Sequence, residues 1–170
     1  MDSDYIPTPG STVKFAYYKP KWNDVFGQLI AWYTRLFNWS SKGYSHVEIG
    51  FMYEGKRLWF SSASKNKNGP NGVRYIDEKD LFIHPERWDI KTYQPLFSDR
   101  KMKETADSLL GKPYDWAGLF GFIEPFDELN AKNKWYCSEV CYRVFFGVWK
   151  KRVSPERLDL ETARYQIKAL

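Results

Sequence analysis

Two stretches of the chain carry opposite periodicities. In Tyr44-Ser45-His46-Val47-Glu48-Ile49-Gly50-Phe51, the apolar Val47, Ile49 and Phe51 alternate with His46, Glu48 and Gly50. That is the period-two pattern of a strand with one buried face, and it sets His46 at the strand start on the opposite face. In Trp135-Tyr136-Cys137-Ser138-Glu139-Val140-Cys141, by contrast, Val140, Val144 and Val148 recur at helical spacing. This predicts a helix that opens at Cys137 and places that thiol in its first turn.

The remaining pattern fills in around these two. Pro9-Gly10-Ser11 turns the chain into a β-branched and aromatic strand over Thr12 to Tyr18. A helix with Asp24 as its cap and Phe26, Ile30, Tyr33 and Phe37 on one stripe is expected next, ended by Trp39-Ser40-Ser41-Lys42-Gly43. Glu54-Gly55 punctuates a hairpin into Arg57 to Ser62, and a polar loop over Lys65 to Gly72 precedes the short strand Val73-Arg74-Tyr75-Ile76. Trp88 to Tyr93 reads as a further strand. Ser98 to Leu110 reads as a helix with Ser98 as N-cap and Gly111 as C′ residue. Ser154-Pro155-Glu156 opens a last short helix before a mobile end. Helical patterns flank a run of strands, which predicts an α+β fold with an antiparallel sheet.

Composition narrows the class. At 170 residues the chain is expected to be one domain, 1–170, without a linker or repeat. Aromatic residues make up 19%, so the core or a cleft is built largely from rings. Met1-Asp2-Ser3-Asp4-Tyr5 has neither a basic region nor an apolar stretch, so no secretory signal and cytoplasmic synthesis are expected. The longest apolar run, Trp116 to Ile123, has eight residues, too few for a transmembrane segment. The formal charge of +5 suits weak contact with an anionic surface. Lys65-Asn66-Lys67-Asn68 and Lys150-Lys151-Arg152 read as solvated faces, so no specific nucleic-acid partner is expected. Two cysteines at C-x3-C spacing make neither a disulfide scaffold nor a zinc site, and neither metal nor cofactor is expected.

The chemistry then lies in one pair. A thiol in the first turn of a helix is favoured as thiolate by the unpaired N–H groups there and by the helix dipole. It needs a base. His46 is the candidate, because His84 stands directly before Pro85 in a segment with no catalytic context.

Gly111-Lys112-Pro113-Tyr114-Asp115-Trp116-Ala117-Gly118, followed by Trp135-Tyr136-Cys137-Ser138-Glu139-Val140, resembles the Tyr-x-Trp-x-Gly and Cys-Ser signature of the NlpC-type papain-like cysteine peptidases. Here the Ser-His-Val-x-Ile strand precedes the cysteine, which is similar to the circularly permuted branch, the YiiX-like proteins and their relatives the lecithin retinol acyltransferases. The resemblance covers roughly Thr12 to Val148 and leaves 149–170 as a tail. It implies a permuted papain-like core, with Cys137 as nucleophile forming a thioester and His46 as the proton acceptor that later serves the leaving group. It also implies Tyr114 beside the Cys137 backbone N–H at the oxyanion, with a core tyrosine as the alternative. Asp115 reads as the cap of a following helix.

The residue that orients the imidazole departs from the family, which places His, Asn or Gln on the neighbouring strand. Here that stretch is Leu58-Trp59-Phe60-Ser61-Ser62-Ala63-Ser64. A two-residue turn on Glu54-Gly55 brings Ser61 beside Glu48 on the face of His46, whereas a three-residue loop brings Ser62 and Ser64 there. Ser61 and Ser62 both stay open. Glu48, one pleat from His46, reads as a solvent-facing or loop-anchoring charge, with a place beside the imidazole as the alternative.

Three functions are expected to compete. The first is a hydrolase of peptide or isopeptide bonds, bacterial cell-wall stems included, with phage delivery as an answer to the missing signal. The second is a lipid-directed acyltransferase or thioesterase, and the third a catalytically silent binding module.

Overall fold

A computed structural model describes residues 3–20, 42–64, 71–115, 135–151 and 153–168. Five strands form one antiparallel sheet: β1 (Val13–Tyr18), β2 (His46–Tyr53), β3 (Lys56–Ala63), β4 (Gly72–Ile76) and β5 (Trp88–Tyr93), in the order β4-β3-β2-β1-β5. Among the described residues four α-helices accompany them: α1 (Glu78–Leu81), α2 (Asp99–Asp107), α3 (Cys137–Phe146) and α4 (Pro155–Thr162). The architecture is α+β, a five-stranded antiparallel sheet packed against helices. The expected helix capped by Asp24 and the one following Asp115 lie outside the described residues.

The alternation along the strands decides which face receives the helices. Phe15, Tyr17, Val47, Ile49, Phe51, Phe60 and Tyr93 share one buried cluster with Met102 and Ala106 of α2 and Val140, Cys141, Val144 and Phe145 of α3. On the other face Ala16 and Trp59 gather Leu81 of α1, with Ile76, Phe82 and Trp88 around them. The short helix α1, which the sequence pattern did not announce, therefore roofs the second face.

Local signals account for the element ends. Glu54 (φ 48°) and Gly55 (φ 74°) make the two-residue β2–β3 turn, both in the left-handed region that a type I′ hairpin requires. Ser98 Oγ accepts from Lys101 N–H at 3.2 Å to start α2, and Ser154 Oγ accepts from Arg157 N–H at 3.1 Å to start α4. Helix α2 ends earlier than its pattern suggests. After Asp107 the chain tightens through Leu109 N–H to Ala106 O (3.0 Å), which brings Gly111 N–H onto Val73 O (3.0 Å) and Lys112 O under Val73 N–H (2.9 Å). One exposed sheet edge is thereby covered. The C-terminal segment covers the other, with Ile167 N–H on Thr92 O at 2.8 Å. Helix α3 also stops short of Val148. Gly147, at φ 72°, reverses the chain and leaves Val148 56% exposed.

Two of the left-handed glycines, Gly55 and Gly147, provide a test of packing against backbone strain. Gly55 has open space where a Cβ would stand, whereas a Cβ on Gly147 would lie 2.7 Å from the Phe97 ring. Gly55→Ala should cost the backbone strain alone, about 1–2 kcal/mol. Gly147→Ala should cost a further 1–3 kcal/mol or so for the displaced ring. Urea denaturation checks the ranking, and equal losses would contradict it.

Candidate active site

His46 is the first residue of β2, paired with Tyr18 of β1. The approach to this strand is fixed by α4 and β1, because Tyr44 N–H donates to Glu156 Oε1 of α4 at 2.7 Å and Ser45 N–H to Tyr18 O at 3.0 Å. The Trp88 ring meets the imidazole edge-on, 6.2 Å between centroids. Cys137 opens α3 at 4% exposure, and the Glu139 carboxylate turns back to accept Tyr136 N–H at 3.3 Å. As the first residue of the helix, Cys137 has a backbone N–H without an intrahelical acceptor.

The structure brings these two side chains together. Burial pushes the His46 pKa down, but the charge of the nearby Cys137, a hydrogen bond with it, and Glu48 together outweigh burial and raise it to about 9. The imidazole is also gripped from its other side: its Nε2 lies 2.7 Å from Glu48 Oε1. With Nε2–H on the carboxylate, Nδ1 is the nitrogen left for the thiol proton.

Glu48 is not a solvent-facing charge, as its place in the alternation suggested. It is completely buried, and Arg74 of β4 binds it through both terminal nitrogens, Nη2 to Oε1 at 2.6 Å and Nη1 to Oε2 at 3.1 Å. Burial alone would raise the carboxyl's pKa. Arg74 first, and then His46, hold it below the usual carboxylate range. The group against the imidazole is therefore this carboxylate and neither serine. The ladder from Tyr53↔Lys56 to Ile49↔Phe60 is the two-residue-turn register, yet Ser61 Oγ–H donates to the Val47 carbonyl at 2.7 Å. Ser62 is buried opposite Val73, and its Oγ has no partner among the described residues.

Tyr114 lies beside Cys137, joined to Trp135 by a parallel bridge and set edge-on to Tyr136 at 5.8 Å. Burial, and then the charges of Cys137, Asp115 and Glu139, push its pKa well up, so the phenol keeps its proton and remains a donor. Cys141, one turn into α3, is fully buried. Its Sγ–H faces the carbonyls of Val47 (3.7 Å) and Phe60 (3.8 Å), and burial pushes its pKa well up. The two cysteines are free thiols. His84 stands at the surface, 55% exposed, 3.7 Å from Glu86. Among the described residues there is no group of His, Cys, Asp and Glu able to hold a metal ion, and no helix is long and apolar enough to cross a membrane.

Arg74 and Trp88 are the components that sequence reading missed. Arg74 sits between Val73 and Tyr75 in a short strand, where alternation alone marks a charge as solvent-facing. Trp88 carried no sign beyond strand propensity.

The imidazole links the site to stability. His46 is raised from 6.5 in the unfolded chain to about 9 in the fold, so its contribution is whole below about pH 6.5 and is lost as pH rises through about 9. Denaturation midpoints of the wild type should therefore fall over that window relative to those of His46→Gln. Parallel profiles would contradict the raised value.

No protein-family model matches this chain, and no curated protein and no solved structure was found to be similar to it.

Proposed function

We propose that the protein is a cysteine hydrolase of the permuted papain-like type, cleaving an amide bond of a peptide or isopeptide through a thioester. The observation that carries this reading is the contact of Cys137, at a helix N-terminus, with an imidazole whose other nitrogen rests on a buried carboxylate. A structural cysteine and a surface histidine need no such third member.

His46 Nδ1 holds the proton taken from Sγ, and the thiolate attacks the acyl carbon, forming a C–S bond and moving the carbonyl electron pair to oxygen. The Cys137 backbone N–H and the Tyr114 hydroxyl are the donors assigned to that oxyanion. When the C–N bond breaks, the imidazolium gives its proton to the amine and the thioester remains. Water then loses a proton to His46 and attacks the thioester, and Sγ leaves as the thiolate beside the recharged imidazolium. Glu48 keeps the imidazole in one orientation and stabilises its charged form throughout.

The test is intact-mass analysis with peptide-like and lipid-like acyl probes. Wild type should gain one acyl group on Cys137 from the peptide-like probe and lose it to water. Cys137→Ala should keep its fold and gain none. Transfer of the acyl group to an added alcohol or amine would replace hydrolysis by the acyltransferase reading, and no adduct with any probe would leave a silent binding module. Brief iodoacetamide treatment should modify Cys137 well before Cys141. On a turned-over substrate, Glu48→Gln should lower kcat by about 10²-fold or more. Ser61→Ala should leave kcat unchanged and cost about 1 kcal/mol of stability through the lost bond to Val47.

A further inference from the structure

Arg74 lies on β4, separated from β2 by β3. Its neighbour on β3 is Ser61, and the small residue there leaves the guanidinium a path to Glu48. Both terminal nitrogens go to the two oxygens of Glu48, and Nε–H has no partner among the described residues. One of those oxygens, Oε1, also receives His46 Nε2. Arg74 is 13% exposed and Glu48 not at all. A buried ion pair of this kind contributes little net stability, because desolvating both charges offsets most of their attraction, and apolar residues would fill the space as well.

We propose that Arg74 is a positioning residue for the Cys137–His46 pair, clamping the Glu48 carboxylate against the imidazole and balancing its charge. This rests on the reading of Cys137 and His46 as nucleophile and base. With Arg74 in place, the four groups Cys137, His46, Glu48 and Arg74 sum to zero charge whether the proton is on sulfur or on the imidazole. Without it the other three would carry a net −1 in either proton position, an uncompensated buried charge. The fork fixes both carboxylate oxygens, so the imidazole has one resting orientation. Among the described residues, the ionisable groups facing the imidazole and the thiol are Glu48 on β2, Arg74 on β4 and Cys141 on α3, with Tyr114 and Tyr136 beside Cys137.

Charge counting gives the direction of the effect. At the acid limb of its reactivity the Cys137 thiolate forms beside protonated His46, Glu48 and Arg74, which together carry one positive charge. Without Arg74 they carry none. The limb should therefore move to higher pH when the arginine is replaced by a neutral residue.

The experiment is the pH dependence of iodoacetamide alkylation at Cys137, read by peptide mass mapping on the full chain, with folding checked by circular dichroism. Arg74→Met and Arg74→Gln should shift the acid limb upward by roughly one pH unit. Arg74→Lys keeps the charge and should return the limb to within roughly half a unit of wild type. Arg74→Gln retains hydrogen-bonding groups toward Glu48 and decides the matter if Arg74→Met does not fold. A folded neutral variant that loses thermal stability but keeps the wild-type limb would overturn the proposal and leave the Cys137–His46 reading intact. Wild-type Cys137 reacting no faster at neutral pH than the denatured chain would overturn both.

Discussion

A carboxylate with no exposure to water is the constraint around which the site is organised. Glu48 occupies the middle of the sheet, flanked by Ala16 on β1 and next to the position of Ser61 on β3. An ionised group there must be compensated by hydrogen bonds and opposite charge or else take up a proton. Arg74 and His46 provide both. That requirement draws residues from two separated strands to one point and fixes an imidazole at the end of β2, where α3 delivers Cys137.

The rest of the fold works to hold that meeting in place. Helix α3 lies on the sheet through Val140, Cys141, Val144 and Phe145, which sets the height of its first turn against β2. Ser138 Oγ–H donates to the Val153 carbonyl, tying the start of α3 to the segment leading into α4. Helix α4 in turn holds the approach to His46 through Glu156 and Tyr44 N–H. Cys141 packs where Val47 and Phe60 present their carbonyls. The same helix thus carries one thiol placed for packing and one placed beside an imidazole.

Much of this was legible in the chain because it depends on local chemistry. The strand with His46, the turn on Glu54-Gly55, the caps Ser98 and Ser154 and the helix opening at Cys137 follow from periodicity and capping residues. The thiol and imidazole could be paired from their element types before any contact was known. The role of Glu48 was not legible, because alternation assigns a residue to a face without telling what covers that face. Here α1 and the Trp59, Phe82 and Trp88 rings cover part of it, and Arg74 reaches across from a strand whose distance from β2 depends on sheet order. The serine expectation failed for a related reason. The register was readable, but the shortest acceptor for Ser61 is the Val47 carbonyl within the sheet. The early ends of α2 and α3 likewise came from tertiary ties at Val73 and from the left-handed Gly147, which periodicity cannot weigh.

Cys137 and Glu48 together hold His46 as an imidazolium in the folded protein. Nitrogen-15 NMR of the histidine ring, titrated in wild type and in Cys137→Ala, tests it most directly. A His46 charged at neutral pH, titrating at about 9 and falling when Cys137 is replaced, agrees with the account. A neutral ring at pH 7 that is indifferent to the loss of Cys137 would contradict it.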